Sequence, residues 1–363
     1  MAIKFADHLK DIPDYVPGKP VEELERELGI KEALKMASNE NFRGPSQRVS
    51  EAISERIHAL NLYPDSVCFV LRNALGKKFG VEPNQVIVGN GSNYIIELIC
   101  RAALNPGDEG LTVDPTFVFY RRAVRGAMGI PKIVPLTKSF DVDAEALLKS
   151  VSPRTRLVFL ASPNNPTGKI IPFSVLTFFL DRLNPDIFIA LDEAYFDFVD
   201  PQEAGSGLKF LQDHKNLIVL RTYSKIYSLA GLRIGFGIAD ETIIRALFKL
   251  YLPFNVGTLA QSAAMAALEE DDLLNEVRII NEEGKKYLYK ELNTLGLEFV
   301  PTQANFILVK VGKASRIYEH LLKRGIIVRD MTPWNLPEHI RVTISFPENN
   351  ERLIRELKII LMR

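Results

Sequence analysis

Three short segments gather the side chains that can do covalent or acid–base chemistry: S-P-N-N-P-T-G at residues 162–168, D-E-A-Y at 192–195, and T-Y-S-K at 222–225, followed by A-G-L-R at 230–233. A lysine amine can bond to a carbonyl carbon and can also move a proton, and among side chains lysine alone does both. A fourth segment, G-N-G-S-N-Y-I-I-E-L, puts Gly91, Ser92 and Asn93 at the opening of an apolar helical run. Backbone amides at a helix start, joined by hydroxyl and guanidinium donors, form the donor set that holds a phosphate dianion. Each segment alone is common, and N-N-P-T-G is a good turn in any loop. Their combination and order point to a site.

The elements that must position these segments are short β-rich runs alternating with longer helical patterns. Strands are predicted at 85–88, 110–113, 132–136, 157–160, 187–191, 217–220 and 235–238. Such alternation reads as an α/β sheet, mostly parallel. IFIALDEAY and NLIVLRTYS end on polar residues directly after the apolar stretch, which puts those residues at the carboxyl edge, where ligands of open α/β sheets bind. After Gly257 the pattern changes to a long helical region, then strand-like FILVKV and IRVTIS separated by helix-like ASRIYEHLLKRG, a smaller α+β domain. The expected organisation is an arm and helix over 1–40 packed near the small domain, a large domain over 41–257 and the small domain over 258–363.

Lysine plus arginine and aspartate plus glutamate both number 45, so no net field draws nucleic acid or an acidic membrane. The partner expected is a small molecule or another copy of the chain. Cys68 and Cys100 lack C-x-x-C spacing, against a disulfide framework or zinc site. No apolar stretch of signal-peptide or membrane-spanning length occurs, and a cytoplasmic protein is expected.

With each segment following a predicted strand, the order resembles fold-type I pyridoxal-phosphate aminotransferases over nearly the whole chain, and among them the histidinol-phosphate aminotransferase subfamily. The resemblance implies a large domain with a mostly parallel seven-stranded sheet sandwiched by helices, a smaller α+β domain, pyridoxal 5'-phosphate as cofactor, and no metal. It implies that Lys225 carries the cofactor and shuttles the proton. Asp192 would keep the pyridine nitrogen protonated so that the ring withdraws electrons, and Asn165 and Tyr195 would bind the ring hydroxyl. The cofactor phosphate would lie on Gly91, Ser92 and Asn93 with Ser224, Arg233 and nearby Thr222. Phe117 would stack on the ring, and Tyr63 of L-Y-P would reach the phosphate from the neighbouring subunit of a homodimer. For the substrate, Arg341 matches the arginine for an anionic group and Arg329 the one for a phosphate, with Tyr15 and Asn305 close by. Two arginines suit a phosphate better than a lone carboxylate.

The activity implied is amino transfer from histidinol phosphate to 2-oxoglutarate in histidine biosynthesis. Threonine-phosphate decarboxylation and aromatic amino acid transamination share the carbanion chemistry and stay open. So does a non-catalytic binding protein on the same fold, although that reading predicts loss of Lys225 or Asp192, and both remain. The chain departs from the subfamily at N-E-N-F-R-G-P-S over 39–46, where Phe42 and Arg43 alter a loop expected to border the substrate. Asn93 and Tyr94 stand where acidic residues are usual, and Phe254 where tyrosine is frequent. Tyr94 occupies the third glycine position of a dinucleotide fingerprint, and L-D-E-A has no accompanying G-x-x-x-x-G-K-[ST] loop, so neither nucleotide reading holds. Cys100 reads as core, and Trp334 as a loop residue without a role.

Overall fold

The computed structural model describes residues 3–12, 14, 18–200 and 205–361. The described residues form thirteen strands: β1 (Leu34–Lys35), β2 (Val86–Gly89), β3 (Glu109–Asp114), β4 (Ile130–Pro135), β5 (Thr155–Ala161), β6 (Phe188–Asp192), β7 (Leu217–Thr222), β8 (Gly235–Ala239), β9 (Phe299–Val300), β10 (Phe306–Lys310), β11 (Ile326–Ile327), β12 (Arg329–Asp330) and β13 (His339–Thr343). The seven predicted runs all form strands, with ends displaced by a residue or two, and they make one sheet in the order β2-β8-β7-β6-β5-β3-β4. Pairing is parallel except around β8, which runs antiparallel to both β2 and β7.

Successive side chains of a strand face opposite sides, so a strand covered on both faces must be apolar at every position. Val158, Leu160, Ile189, Leu191, Leu217 and Val219 enter one core. Their alternates Leu157, Phe159, Ala190, Ile218 and Leu220 enter the other. The second core is roofed by the helix Gly91–Ala103, whose Ile95, Ile96, Leu98, Ile99 and Cys100 are buried there. Because four strands lie between β2 and β3 in the sheet, this helix crosses the sheet face with its N-terminus at the carboxyl end of β2. The carboxyl ends of β5, β6 and β7 lie side by side beneath that start.

A second, antiparallel sheet has the order β12-β13-β10-β9, and β1 pairs with β11 beside it. The Met36 N–H donates to the Ile327 carbonyl at 2.7 Å and the Thr343 N–H to the Met36 carbonyl at 2.8 Å, so the arm is hydrogen-bonded to this smaller unit. The change of pattern at Gly257 is not a change of packing. Helix Thr258–Ala267 puts Ala260, Ala263, Ala264, Ala266 and Ala267 into the large core, because its small side chains let it lie closely on helix Gln47–Ser54. The break falls within helix Asp271–Thr294: Leu274 and Val277 join the large core, Leu288 and Leu292 the small one. Among the described residues no helix is long and apolar enough to cross a membrane.

Directly behind Asp192, Glu193 and Arg221 form a buried ion pair at 2.6 Å, with Asp197 on the same guanidinium at 2.9 Å. The Glu193 carboxylate also accepts from the Gly207 N–H and the Ser206 hydroxyl. The acidic pair of L-D-E-A is thus split, with Glu193 locked into the scaffold. Removing one partner of a buried pair strands the other charge. Arg221→Met is therefore expected to lower stability by about 3–5 kcal/mol in urea unfolding, with part of the loss recovered in the Arg221→Met, Glu193→Gln double variant.

Candidate active site

A cavity of about 310 Å³ opens at the carboxyl edge of the large sheet, between it and the small sheet. Ser92, Asn93, Phe117, Asn165, Asp192, Tyr195, Thr222, Ser224, Lys225, Arg233, Arg329 and Arg341 all line it. Residues separated by some 250 positions of chain therefore meet because three strand ends, one helix start and the edge of the second sheet converge.

Asp192 ends β6 and is buried. Its carboxylate accepts from the Tyr120 hydroxyl at 2.7 Å and from the Ala194 N–H at 3.0 Å. Burial raises its pKa, while the Tyr120 and Ala194 bonds and the Lys225 charge act against that rise. Lys225 follows β7 by three residues; its Nζ donates to the Ser38 carbonyl at 3.0 Å and lies 5.4 Å from the centre of the Tyr195 ring. The Tyr195 hydroxyl accepts from the Asn39 amide at 2.9 Å, and its ring meets Phe306 edge-on at 5.0 Å. Phe117 stands edge-on to Tyr120 at 5.5 Å, and Tyr120 lies flat on Phe159 at 4.8 Å.

Asn165 comes from the turn after β5. Gly168 closes that turn at φ 74°, where a Cβ would come within 1.9 Å of Thr302 Oγ1, so only glycine lets the turn dock there. At the opposite end of the cavity, Gly91 opens its helix at φ 74°, and a Cβ would lie 2.8 Å from Arg233 Nη2. The bare backbone lets the guanidinium close on a helix start that no side chain caps. Arg233 donates to Ser224 Oγ at 3.2 Å and to the Ala230 carbonyl at 2.9 Å. Free amides, a hydroxyl, a guanidinium and the positive end of a helix dipole together make an anion cradle.

Arg341 on β13 is buried. Its guanidinium donates to Asn165 Oδ1 and, at 2.5 Å, to the Ala37 carbonyl, while Nε has no partner. Burial, and secondarily the nearby Arg329 charge, push its pKa down to about 10. Arg329 pairs directly opposite Arg341 in the β12–β13 ladder, and its guanidinium sits 5.0 Å from the Trp334 ring. Among the described residues, no carboxylate forms an ion pair with Arg233, Arg329 or Arg341. One cavity therefore collects three guanidinium groups, none of them in an ion pair with a carboxylate among the described residues.

Other predicted residues lie elsewhere. Tyr63 is 82% exposed and stacks on Phe254 at 4.5 Å, away from the cavity of its own chain. Asn305 does not line the cavity; it lies behind it, donating to the Asn39 carbonyl at 3.1 Å. Tyr15 lies outside the described residues. Arg43 pairs with Glu276 at 3.2 Å and Phe42 packs on the small core, so the altered loop does not reach the cavity. The Tyr94 hydroxyl oxygen accepts from the Leu252 N–H at 2.6 Å, a structural use. Sequence reasoning missed Tyr120, Ser38 and Asn39, and it gave no role to Trp334, which lines the cavity. Tyr120 sits three residues beyond Phe117 on the same apolar stretch and carried no signal of its own.

The family model of aminotransferase class I and II matches residues 31–357. This chain belongs to that family. The chain is 44% identical to histidinol-phosphate aminotransferase of Moorella thermoacetica over 99% of its own length and 93% of the relative's. It is 43% identical to histidinol-phosphate aminotransferase 2 of Carboxydothermus hydrogenoformans, covering 97% of this chain and 98% of the other. The crystal structure of histidinol-phosphate aminotransferase from Sinorhizobium meliloti in complex with pyridoxal-5'-phosphate superposes with a TM-score of 0.91 at 28% identity, covering 100% of this chain and 98% of that one. The fold is accordingly the fold-type I aminotransferase fold, α/β with a smaller second unit.

In this aminotransferase the buried Asp192 has a consequence for stability. A carboxyl group whose folded pKa is raised costs nothing below the unfolded pKa near about 4; the cost grows as pH rises from there to the folded value and is fully present above it. The cofactor-free Asp192→Asn variant is thus expected to melt above the parent at pH 7, with the gap closing toward pH 4, in thermal unfolding followed at both pH values.

Proposed function

We propose that this aminotransferase transfers the amino group of histidinol phosphate to 2-oxoglutarate with pyridoxal 5'-phosphate as cofactor, in histidine biosynthesis in the cytoplasm. The observation that carries this reading is the set of three arginines without carboxylate partners around one lysine-bearing cavity. A phosphorylated cofactor, a phosphorylated amine and a dicarboxylic oxo acid are all anionic, and such a cavity favours them.

The residues fit the cofactor. The cradle of Gly91, Ser92, Asn93, Ser224 and Arg233 suits its phosphate, and the Gly91 backbone leaves room where a Cβ would meet Arg233. When bound, pyridoxal phosphate supplies a carbonyl that takes the amino group and a ring that accepts electrons. Lys225 would hold the cofactor through its amine, and the same amine would move the proton at the substrate's α carbon. Asp192, whose ionised form is favoured by the Tyr120 and Ala194 bonds, would hold the proton on the ring nitrogen. Asn165 and Tyr195 would bind the ring oxygen and Phe117 would cover the ring face, with Thr222 near the phosphate. Arg341 and Arg329 bind the far anionic group, phosphate in the donor and carboxylate in the acceptor, each in turn.

We also read the active unit as a homodimer. Leu60, Leu62, Tyr63, Phe69 and Val70 are all more than half exposed on one stretch of chain, an apolar face that favours burial against a second copy. Tyr63 then reaches the neighbouring site. Tyr15 belongs to the same substrate reading, whereas Asn305 acts from behind.

Incubation with histidinol phosphate and 2-oxoglutarate is expected to yield glutamate, and Lys225→Ala to lower the rate by on the order of 10³-fold or more while abolishing the protein's visible absorption band. Carbon dioxide from threonine phosphate without glutamate would replace this reading. Arg329→Ala is expected to raise KM for histidinol phosphate roughly 10- to 100-fold with a smaller change in kcat, the size of a lost hydrogen-bonded charge contact.

A further inference from the structure

The arm segment Ala37, Ser38 and Asn39 touches three of the site's groups in succession: the Ala37 carbonyl meets Arg341, the Ser38 carbonyl meets Lys225, and the Asn39 amide meets Tyr195. Asn39 is the most constrained of the three. It is 1% exposed and holds a left-handed backbone at φ 56°, a conformation that asparagine and glycine tolerate best. All four of its polar groups are used. Its N–H donates to Thr343 Oγ1 at 3.0 Å, its carbonyl accepts from Asn305 Nδ2 at 3.1 Å, its Oδ1 accepts from the Thr343 hydroxyl at 3.4 Å, and its Nδ2 donates to the Tyr195 hydroxyl at 2.9 Å. Asn305 and Thr343 are neighbours because Phe306 pairs with Thr343 in the β10–β13 register.

This arrangement has a polarity. The Thr343 hydroxyl accepts from the backbone N–H of Asn39, which leaves its own hydrogen for Oδ1 and turns the NH2 group toward Tyr195. An NH2 group only donates. The phenol oxygen then accepts from Asn39, and the phenol's hydrogen is left for a partner in the cavity; a hydroxyl that accepts one bond donates the next more strongly. We propose that Asn39 is a positioning residue which, oriented by Thr343 and Asn305, aims the Tyr195 hydroxyl hydrogen into the cavity. The other titratable groups near Tyr195 are Lys225 over its ring, and Arg341 and Tyr120 at longer range. None of them hydrogen-bonds to the phenol oxygen, so the direction of that hydrogen is set by Asn39. The consequence for the ring oxygen rests on the proposed cofactor; the polarity itself does not.

The test uses Asn39→Gly, which keeps the left-handed backbone and removes the amide, and Asn39→Asp, which keeps the shape and replaces the donor with an acceptor. Both are also made in a Tyr195→Phe background. With pyridoxal phosphate bound, the pH midpoint of the visible band reports how well donors stabilise the ring oxygen. Asn39→Gly and Asn39→Asp are expected to move it upward by about one unit, with Asn39→Gly causing no further shift when Tyr195 is Phe. An unchanged midpoint, or a downward shift, overturns the proposal, because a phenol that donated to Asn39 would be freed by its removal. In the cofactor-free protein, the melting losses of Asn39→Gly and Tyr195→Phe are expected to be non-additive in the double variant, and simple additivity overturns the contact as well. A parent protein that develops no visible band defeats the proposed function, while the cofactor-free cycle still decides the Asn39 contact.

Discussion

A guanidinium buried without a carboxylate beside it is the constraint on which the meeting of the two sheets depends. Arg341 is rooted in the small sheet, yet its donors end on Asn165 from the turn after β5 and on Ala37 from the arm. Its flat face lies 5.3 Å from the Phe306 ring. Neutral acceptors and an aromatic face hold such a cation less well than a counter-charge does, so the pocket stays biased toward anions. The arm, the turn and the small sheet are thus held together by a group that is electrostatically incomplete, as functional sites often are.

The rest of the architecture serves that meeting. Period-two alternation along β5, β6 and β7 fills two cores at once, which makes the large sheet rigid and puts its polar residues only at strand ends. Helix Asp271–Thr294 is anchored in the large core at one end and in the small core at the other, and the arm crosses between the same two units. A site assembled from both sheets therefore has two continuous stretches of chain setting their separation.

Much of this was legible in the sequence because it rests on local rules. The strands announced themselves by apolar runs, and Asp192, Lys225 and Asn165 by polar residues placed just past them. Gly91 and Arg233 were readable as a cradle, though not the reason for the glycine, which is the approach of a guanidinium from 142 positions away in the chain. What escaped depends on tertiary proximity alone. Tyr120 looks like a core aromatic until Asp192 is seen beneath its hydroxyl. Asn39 looks like a loop residue until its backbone turns left-handed against Thr343. Arg43 read as part of a loop bordering the substrate, but helix Asp271–Thr294 offers Glu276 at its side and draws it outward. The packing of helix Thr258–Ala267 was hidden for a similar reason: alanines at helical spacing do not say which core they will enter.

Trp334, the chain's single tryptophan, lies at the wall of the cavity beneath the Arg329 guanidinium. The protein therefore carries one indole, located where substrates are proposed to bind. Its ultraviolet emission is the signal of that one place, without the averaging over many sites that most proteins of this size impose. Any anion that draws Arg329 off the indole face changes the quenching of that emission, so occupancy of the cavity has an optical readout that needs neither label nor turnover.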